Sequence, residues 1–194
     1  MTAPAPAQTV TGKRREFITF LYDVHRNLTA DNRYAAADSR AILARLRRSF
    51  AGPRQQAEAY QIVFDFNPPE HEQHIWLLAG GLFALHPRPR PISGERGMSI
   101  GAAMGALAEV GAVSASRRFM QLISVEPGAL AYYLRQAVQL LRSGQVGLDY
   151  YRLLNDLAVL LATDKTGRHA ERCQDIRIAW IRDYHRNSNR QAPL

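Results

Sequence analysis

Apolar residues recur at spacings of three and four along most of the chain, from Arg14 to Asn187, and no stretch alternates in the manner of a half-buried strand. In REFITFLYDVHRNL, Phe17, Phe20, Leu21, Val24 and Leu28 form one stripe, which predicts an amphipathic helix. A second helix is expected from Asp38 to Ser49, with Asp38 or Ser39 capping its first amides and Gly52-Pro53 closing it. RQQAEAYQIVFDF predicts a third, stopped by Asn67-Pro68-Pro69. The segment from Glu70 to Leu85 predicts a fourth, apolar enough around Trp76, Leu77, Leu78, Leu82 and Phe83 to be buried.

HPRPRPISGERG follows, and its prolines and glycines forbid regular structure, so residues 86–97 read as an exposed basic loop between two halves. Beyond it, Ser99 is placed to cap SIGAAMGALAEV, Gly111 to break the chain, and Ser114 to cap ASRRFMQLISV. Pro127 suits the first turn of GALAYYLRQAVQLLRS, which Gly144 and Gly147 end. Asp149 opens YYRLLNDLAVLLA, and a last helix covers Arg168 to about Asn187. The expected fold is all-α, roughly nine helices in two small bundles: a disordered tail at 1–12, an N-terminal bundle at 13–85, the loop, and a C-terminal bundle at 98–190. Gly101 and Gly105 fall inside a helical stretch, where they read as sites of close helix packing.

Charge changes the picture. Lys and Arg number 25 against 17 acids, a net charge of +8, and only Lys13 and Lys165 among the bases are lysine. The rigid fork of donors on arginine suits phosphate, so a polyanionic partner is the leading expectation. Between Asp38 and Arg54 five arginines face a single acid; Arg40, Arg47 and Arg48 fall on the side opposite Ile42, Leu43, Leu46 and Phe50. Arg88, Arg90 and Arg96 lie in the loop. Arg117, Arg118, Arg135 and Arg142 stand on two successive helices whose apolar faces, packed together, would leave them outside. Lys165, Arg168 and Arg172 have Glu171 and Asp175 beside them to pair with. Tyr132, Tyr133, Tyr150 and Tyr151 are candidates for stacking on bases, although adjacent tyrosines on a helix ordinarily divide between core and rim.

Catalytic patterns do not assemble. His71, Glu72 and His74 are spaced HExH rather than HExxH, so the two imidazoles do not stand one turn apart about a glutamate, and no third ligand is apparent. Asp149, Asp156 and Asp164 are dispersed. No phosphate-cradling or nucleophile-elbow motif occurs, and Cys173 is the lone cysteine; no enzymatic activity, metal or cofactor is expected. With no secretory pattern and no apolar run long enough to span a bilayer, the expected compartment is the cytoplasm, away from membranes.

The run MSIGAAMGALAEVGAVSASRRFMQLISVEPGALAYYLRQAVQLLRSGQVGLDYYRLLNDL resembles the CasB family, the small subunit of the type I-E CRISPR Cascade complex. The resemblance is carried by Ser99 to Leu107, Gly111, Arg117 to Leu122, Leu134-Arg135 and Asp149-Tyr150, with LARLRRSF and WLLAGGLFALHP upstream. It implies a non-catalytic two-bundle protein present in two copies, packed on the backbone and large subunits, lining the path of target and displaced DNA strands along the crRNA and stabilising the R-loop. It also implies phosphate contact at Arg47, Arg48, Arg117, Arg118 and Arg135, whereas Arg142, Arg88, Arg90 and Arg96 rest on local charge alone. Relatives carry a lysine-rich central loop where this chain has HPRPRPISGER. The alternative reading is a dimeric transcription regulator, because SIGAAMGALAEVGAVSASRRFMQLI has the helix, glycine turn and basic second helix of a helix-turn-helix.

Overall fold

The computed structural model describes residues 9–89, 98–111, 113–162 and 167–188. Among them the chain is all-α: α1 (Val10–Asn27), α2 (Arg33–Arg48), α3 (Pro53–Phe64), α4 (Gln73–Leu85), α5 (Ile100–Glu109), α6 (Val113–Ser124), α7 (Pro127–Ser143), α8 (Tyr150–Leu160) and α9 (Gly167–Ser188). A 3-10 turn at Glu70–Glu72 leads into α4. The predicted order of helices is therefore found, with three changes at their starts. Thr9 caps α1 by accepting from the Gly12 amide, so the helix begins at Val10, ahead of the apolar stripe. Asn32, not Asp38 or Ser39, caps α2, accepting from the amides of Tyr34 and Ala35, and Ser39 is buried mid-helix. Helix α6 already includes Val113, which puts Ser114 inside it instead of at its cap. Ser99 and Asp149 do cap α5 and α8, and Pro127 sits in the first turn of α7.

Helix α4 is buried on nearly every side, as its composition predicts. It packs against α2 and α3 on one side and α7 and α8 on the other. Through it the apolar residues of both halves join in one continuous core, in which Phe17, Trp76, Phe83, Phe119, Tyr150 and Trp180 are fully buried. The tightest helix pair is α5 on α9. A Cβ at Gly101 would lie 2.0 Å from the Trp180 carbonyl oxygen, and one at Gly105 would lie 2.4 Å from that of Tyr184. These two glycines, one turn apart, let backbone touch backbone. Gly111, at φ 87°, turns the chain from α5 toward α6 in a conformation that favours glycine.

The ends of the loop are held together. The Leu148 amide donates to the Arg88 carbonyl and the Asp149 amide to the Met98 carbonyl, so residues 88 and 98 attach to consecutive positions of the α7–α8 turn. Tyr150 donates its hydroxyl to the His86 carbonyl at 2.6 Å. His86 in turn lies 2.7 Å from the Val146 carbonyl through Nε2.

Candidate nucleic-acid interface

Each arginine singled out above acquires its setting from the helix that carries it. On α2, Leu43 and Leu46 go into the core, while Arg48 points to solvent. Its neighbour Arg47 donates from both Nε and Nη2 to the Ala84 carbonyl, at 3.1 and 2.9 Å. That carbonyl is among the last of α4 and has no partner within its own helix, so Arg47 closes a helix end while keeping part of its guanidinium outside.

Along α7, Leu130, Leu134, Ala137, Val138 and Leu141 are buried, Arg135 is half-buried and Arg142 is exposed. The Arg135 guanidinium carbon lies 5.2 Å from the centre of the Phe50 ring, and its Nε is buried without a hydrogen-bond partner. Phe50, two residues past the end of α2, thus lies against Arg135 of α7. Arg142 lies two turns beyond Arg135 on the same side of the helix. Arg88, exposed, donates to Gln145 at the end of α7. Burial pushes His86 below its ordinary range, the bond to Val146 opposes this, and the charges of Arg88 and Arg142 lower it further. Arg90 and Arg96 lie outside the described residues.

Helix α6 buries Ala115, Phe119 and Leu122 and turns Arg117 outward. Arg118 is half-buried and donates to Gln136 of α7 at 2.8 Å. Ser114, Arg117, Arg118, Gln121, Tyr132, Tyr133 and Gln136 together line a groove of about 370 Å³ between α6 and α7. Tyr132 is 61% exposed, and the Tyr133 ring stands at 90° to it with centroids 5.3 Å apart. At 100° per residue, Tyr132 falls between Arg135 and Gln136 around α7, so the groove and the Phe50 region adjoin through this tyrosine. Tyr150 is buried in the core, and Tyr151 sits beneath Arg15.

Among the described residues, the arginines of this surface form no ion pair with a carboxylate. Among the described residues, the ion pairs of arginine with carboxylates are Arg14–Glu72, Arg26–Asp23, Arg54–Glu58, Arg152–Asp183 and Arg186–Asp183. None involves Arg47, Arg48, Arg88, Arg117, Arg118, Arg135 or Arg142. The dispersed acids serve the fold instead. Glu72 accepts from Arg14 and from the Trp76 indole, Asp149 caps α8, and Asp156 accepts from the Trp180 indole at 2.7 Å. Asp164 lies outside the described residues.

Sequence reasoning passed over two arginines with internal roles. Arg14 continues the stripe of Phe17, Leu21 and Val24, a position at which a charge requires an internal partner, and this spacing was the available signal. Arg177 of α9 donates to the carbonyls of Ile123 and Val125 at the end of α6; nothing in its sequence neighbourhood points there. A larger cleft of about 540 Å³ lies between Phe50, Tyr60, Leu77 and Leu78 on one side and Pro127, Gly128 and Ala131 on the other. Among the described residues no arginine lines it.

These features define an all-helical basic protein whose outward arginines on α2, α6 and α7 form no ion pair with a carboxylate among the described residues. The chain belongs to the Cse2 family of CRISPR-associated proteins, whose family model matches residues 42–185. It is 28% identical over 152 residues to a CRISPR-associated protein Cse2 of Thermus thermophilus, covering 75% of this chain and 79% of that protein. The crystal structure of CasB from Thermobifida fusca is 28% identical and superposes with a TM-score of 0.63 over 92% of this chain and all but 1% of its own length, 99% being covered. A chain of a CRISPR RNA-guided surveillance complex shares the fold at a TM-score of 0.66 and 21% identity, over 95% of this chain and 100% of that one.

Proposed function

We propose that this protein is the non-catalytic small subunit of a type I-E Cascade complex, and that it grips the sugar-phosphate backbone of nucleic acid without reading bases. Family membership supports the first part. The observation that carries the second is the set of outward guanidinium groups on α2, α6 and α7 left without carboxylate partners among the described residues. A surface selected for solubility alone intersperses acids with its bases. Arginine forks match phosphate in geometry and charge, and contacts of that kind position a strand irrespective of sequence.

In this reading residues 13–85 and 98–190 form two helical units, with the basic loop at 86–97 between them. Two copies lie side by side against the backbone and large subunits, along the crRNA and the two DNA strands, in the cytoplasm. Formation of an R-loop exchanges a DNA duplex for a heteroduplex of similar stability, so modest contacts to the displaced strand are enough to tip it. Arg47, Arg48, Arg88, Arg117 and Arg142 are the exposed contacts, with the half-buried Arg118 and Arg135 beside them and Arg90 and Arg96 in the loop.

The test is purification of the tagged chain from its native host. Recovery of a particle containing several other subunits and a short guide RNA supports the assignment. Recovery of the chain alone, or as a dimer protecting one defined DNA operator, refutes it in favour of a regulator.

A further inference from the structure

The groove between α6 and α7 has a chemistry that backbone gripping alone does not require. Its walls carry the guanidinium groups of Arg117 and Arg118, the amides of Gln121 and Gln136, the Ser114 hydroxyl and two tyrosines, and among the described residues no carboxylate lines it. Its volume of about 370 Å³ lies within the range of roughly 300–1,000 Å³ in which small-molecule-sized ligands sit. The Arg118 guanidinium donates to the Gln136 carbonyl oxygen at 2.8 Å. This engages the amide oxygen, so the group Gln136 has left for a ligand is its NH2, a pure donor. Tyr132 is 61% exposed, an unusual setting for a ring that burial would favour. Among the described residues its one ring neighbour is Tyr133, set edge to face at 90°. A ring braced by a single perpendicular neighbour keeps at least one face open.

We propose that this groove holds one unpaired nucleotide, its base stacked on the open face of Tyr132 and its phosphate against Arg117, with Gln136 and Gln121 directed at base or sugar oxygens. The proposal rests on the phosphate-binding reading above and adds the requirement that the strand be single. In a duplex the base faces are already stacked on their neighbours and cannot reach the tyrosine. Stacking of this kind tolerates any base, because every base has a π-face, and so it agrees with binding that ignores sequence. Arg135 and Arg142, next to Tyr132 around α7, continue the track for the flanking phosphates.

The experiment compares two labelled strands of equal length and charge, a thymidine oligonucleotide and one built of abasic residues, by fluorescence anisotropy with the purified full chain at low salt. The intact protein is expected to prefer the base-containing strand by about tenfold, the size of one base on one aromatic ring. The preference should vanish in Tyr132→Ala and persist in Tyr132→Phe; both remain folded because the side chain is mostly exposed, which circular dichroism verifies. Equal affinity of the intact protein for the two strands would overturn the stacking site while leaving the phosphate reading intact. Failure to bind either strand would overturn both. A preference that survives in Tyr132→Ala would also overturn the assignment to this ring.

Discussion

Gly101 of α5 faces the backbone carbonyl of Trp180 of α9 so closely that a Cβ placed there would sit 2.0 Å from the oxygen and 2.7 Å from the carbonyl carbon. The atoms in the way are main chain, so no rotamer change relieves them. Gly101→Ala is expected to destabilise the fold by at least about 2–3 kcal/mol, the range for overpacked cores, despite the better helix propensity of alanine. Gly128, in the first turn of α7, has nothing within 4 Å of its Cβ position. Gly128→Ala is therefore expected to gain about 0.5–1 kcal/mol. Urea unfolding of both variants checks the opposite signs.

Arg14 reaches across from α1 to Glu72, at 2.9 Å from its Nε, and to Asn155 of α8, at 3.0 Å. Glu72 is 4% exposed. Burial alone would raise its pKa, but the hydrogen bonds from Arg14 and Trp76 and the charge of Arg14 outweigh it and hold the carboxyl below its usual range. Its contribution to stability is present above the ordinary carboxylate pKa and lost as pH falls through the depressed one. Arg14→Met leaves the carboxylate buried with the indole and the more distant His71 imidazole, 3.7 Å away, and should cost about 3–5 kcal/mol near neutral pH. Thermal melts of the variant should drop by about 10 °C or more.

Asp156 behaves in the opposite sense. Burial pushes its carboxyl up to about 6; the Trp180 hydrogen bond and the charge of Arg152 oppose the shift, and Asp183 and Asp149 reinforce it. A folded pKa above the unfolded one means that the native state holds its proton more tightly, so this group destabilises the fold as pH rises from about 4 to about 6. Asp156→Asn keeps an oxygen to accept from the Trp180 indole and removes the ionisation. The variant should match the parent near pH 4 and exceed it by about 2–3 kcal/mol near pH 7. Denaturant midpoints at the two pH values measure this.

Arg47 and Arg48 are adjacent, yet their expected effects differ. Arg47 closes α4 through the Ala84 carbonyl, so Arg47→Ala should lose about 1 kcal/mol of stability together with some affinity for nucleic acid. Arg48→Ala should leave stability within about 0.5 kcal/mol and weaken binding alone. Melting and anisotropy on the same two preparations separate the roles.

Most of the helices were legible because the apolar residues repeat at helical spacing, and Ser99, Pro127 and Asp149 mark their starts by chemistry that needs no tertiary partner. The start of α2 was not, since Arg33 to Ala37 carries no apolar stripe and Asp38-Ser39 offered a second plausible cap; Asn32 makes the two amide bonds, and Ala36 is drawn into the core. The basic residues were legible as clusters, but their association depends on packing. That Arg118 meets Gln136, or that Arg135 lies over Phe50, follows from how α6, α7 and α2 lean on one another, and no spacing along the chain encodes it. Arg14 could have been found as a charge on an apolar stripe; Arg177 could not.

The central claim is that outward arginines hold phosphates, and the salt dependence of single-strand binding tests it most directly. Arg48, Arg117 and Arg142 are exposed and without acidic partners among the described residues, so replacing all three with glutamine should leave the fold unchanged. The slope of log affinity against log salt should become shallower by about 2, close to 0.7 for each phosphate contact removed. A triple variant that binds with the slope of the parent would contradict the account.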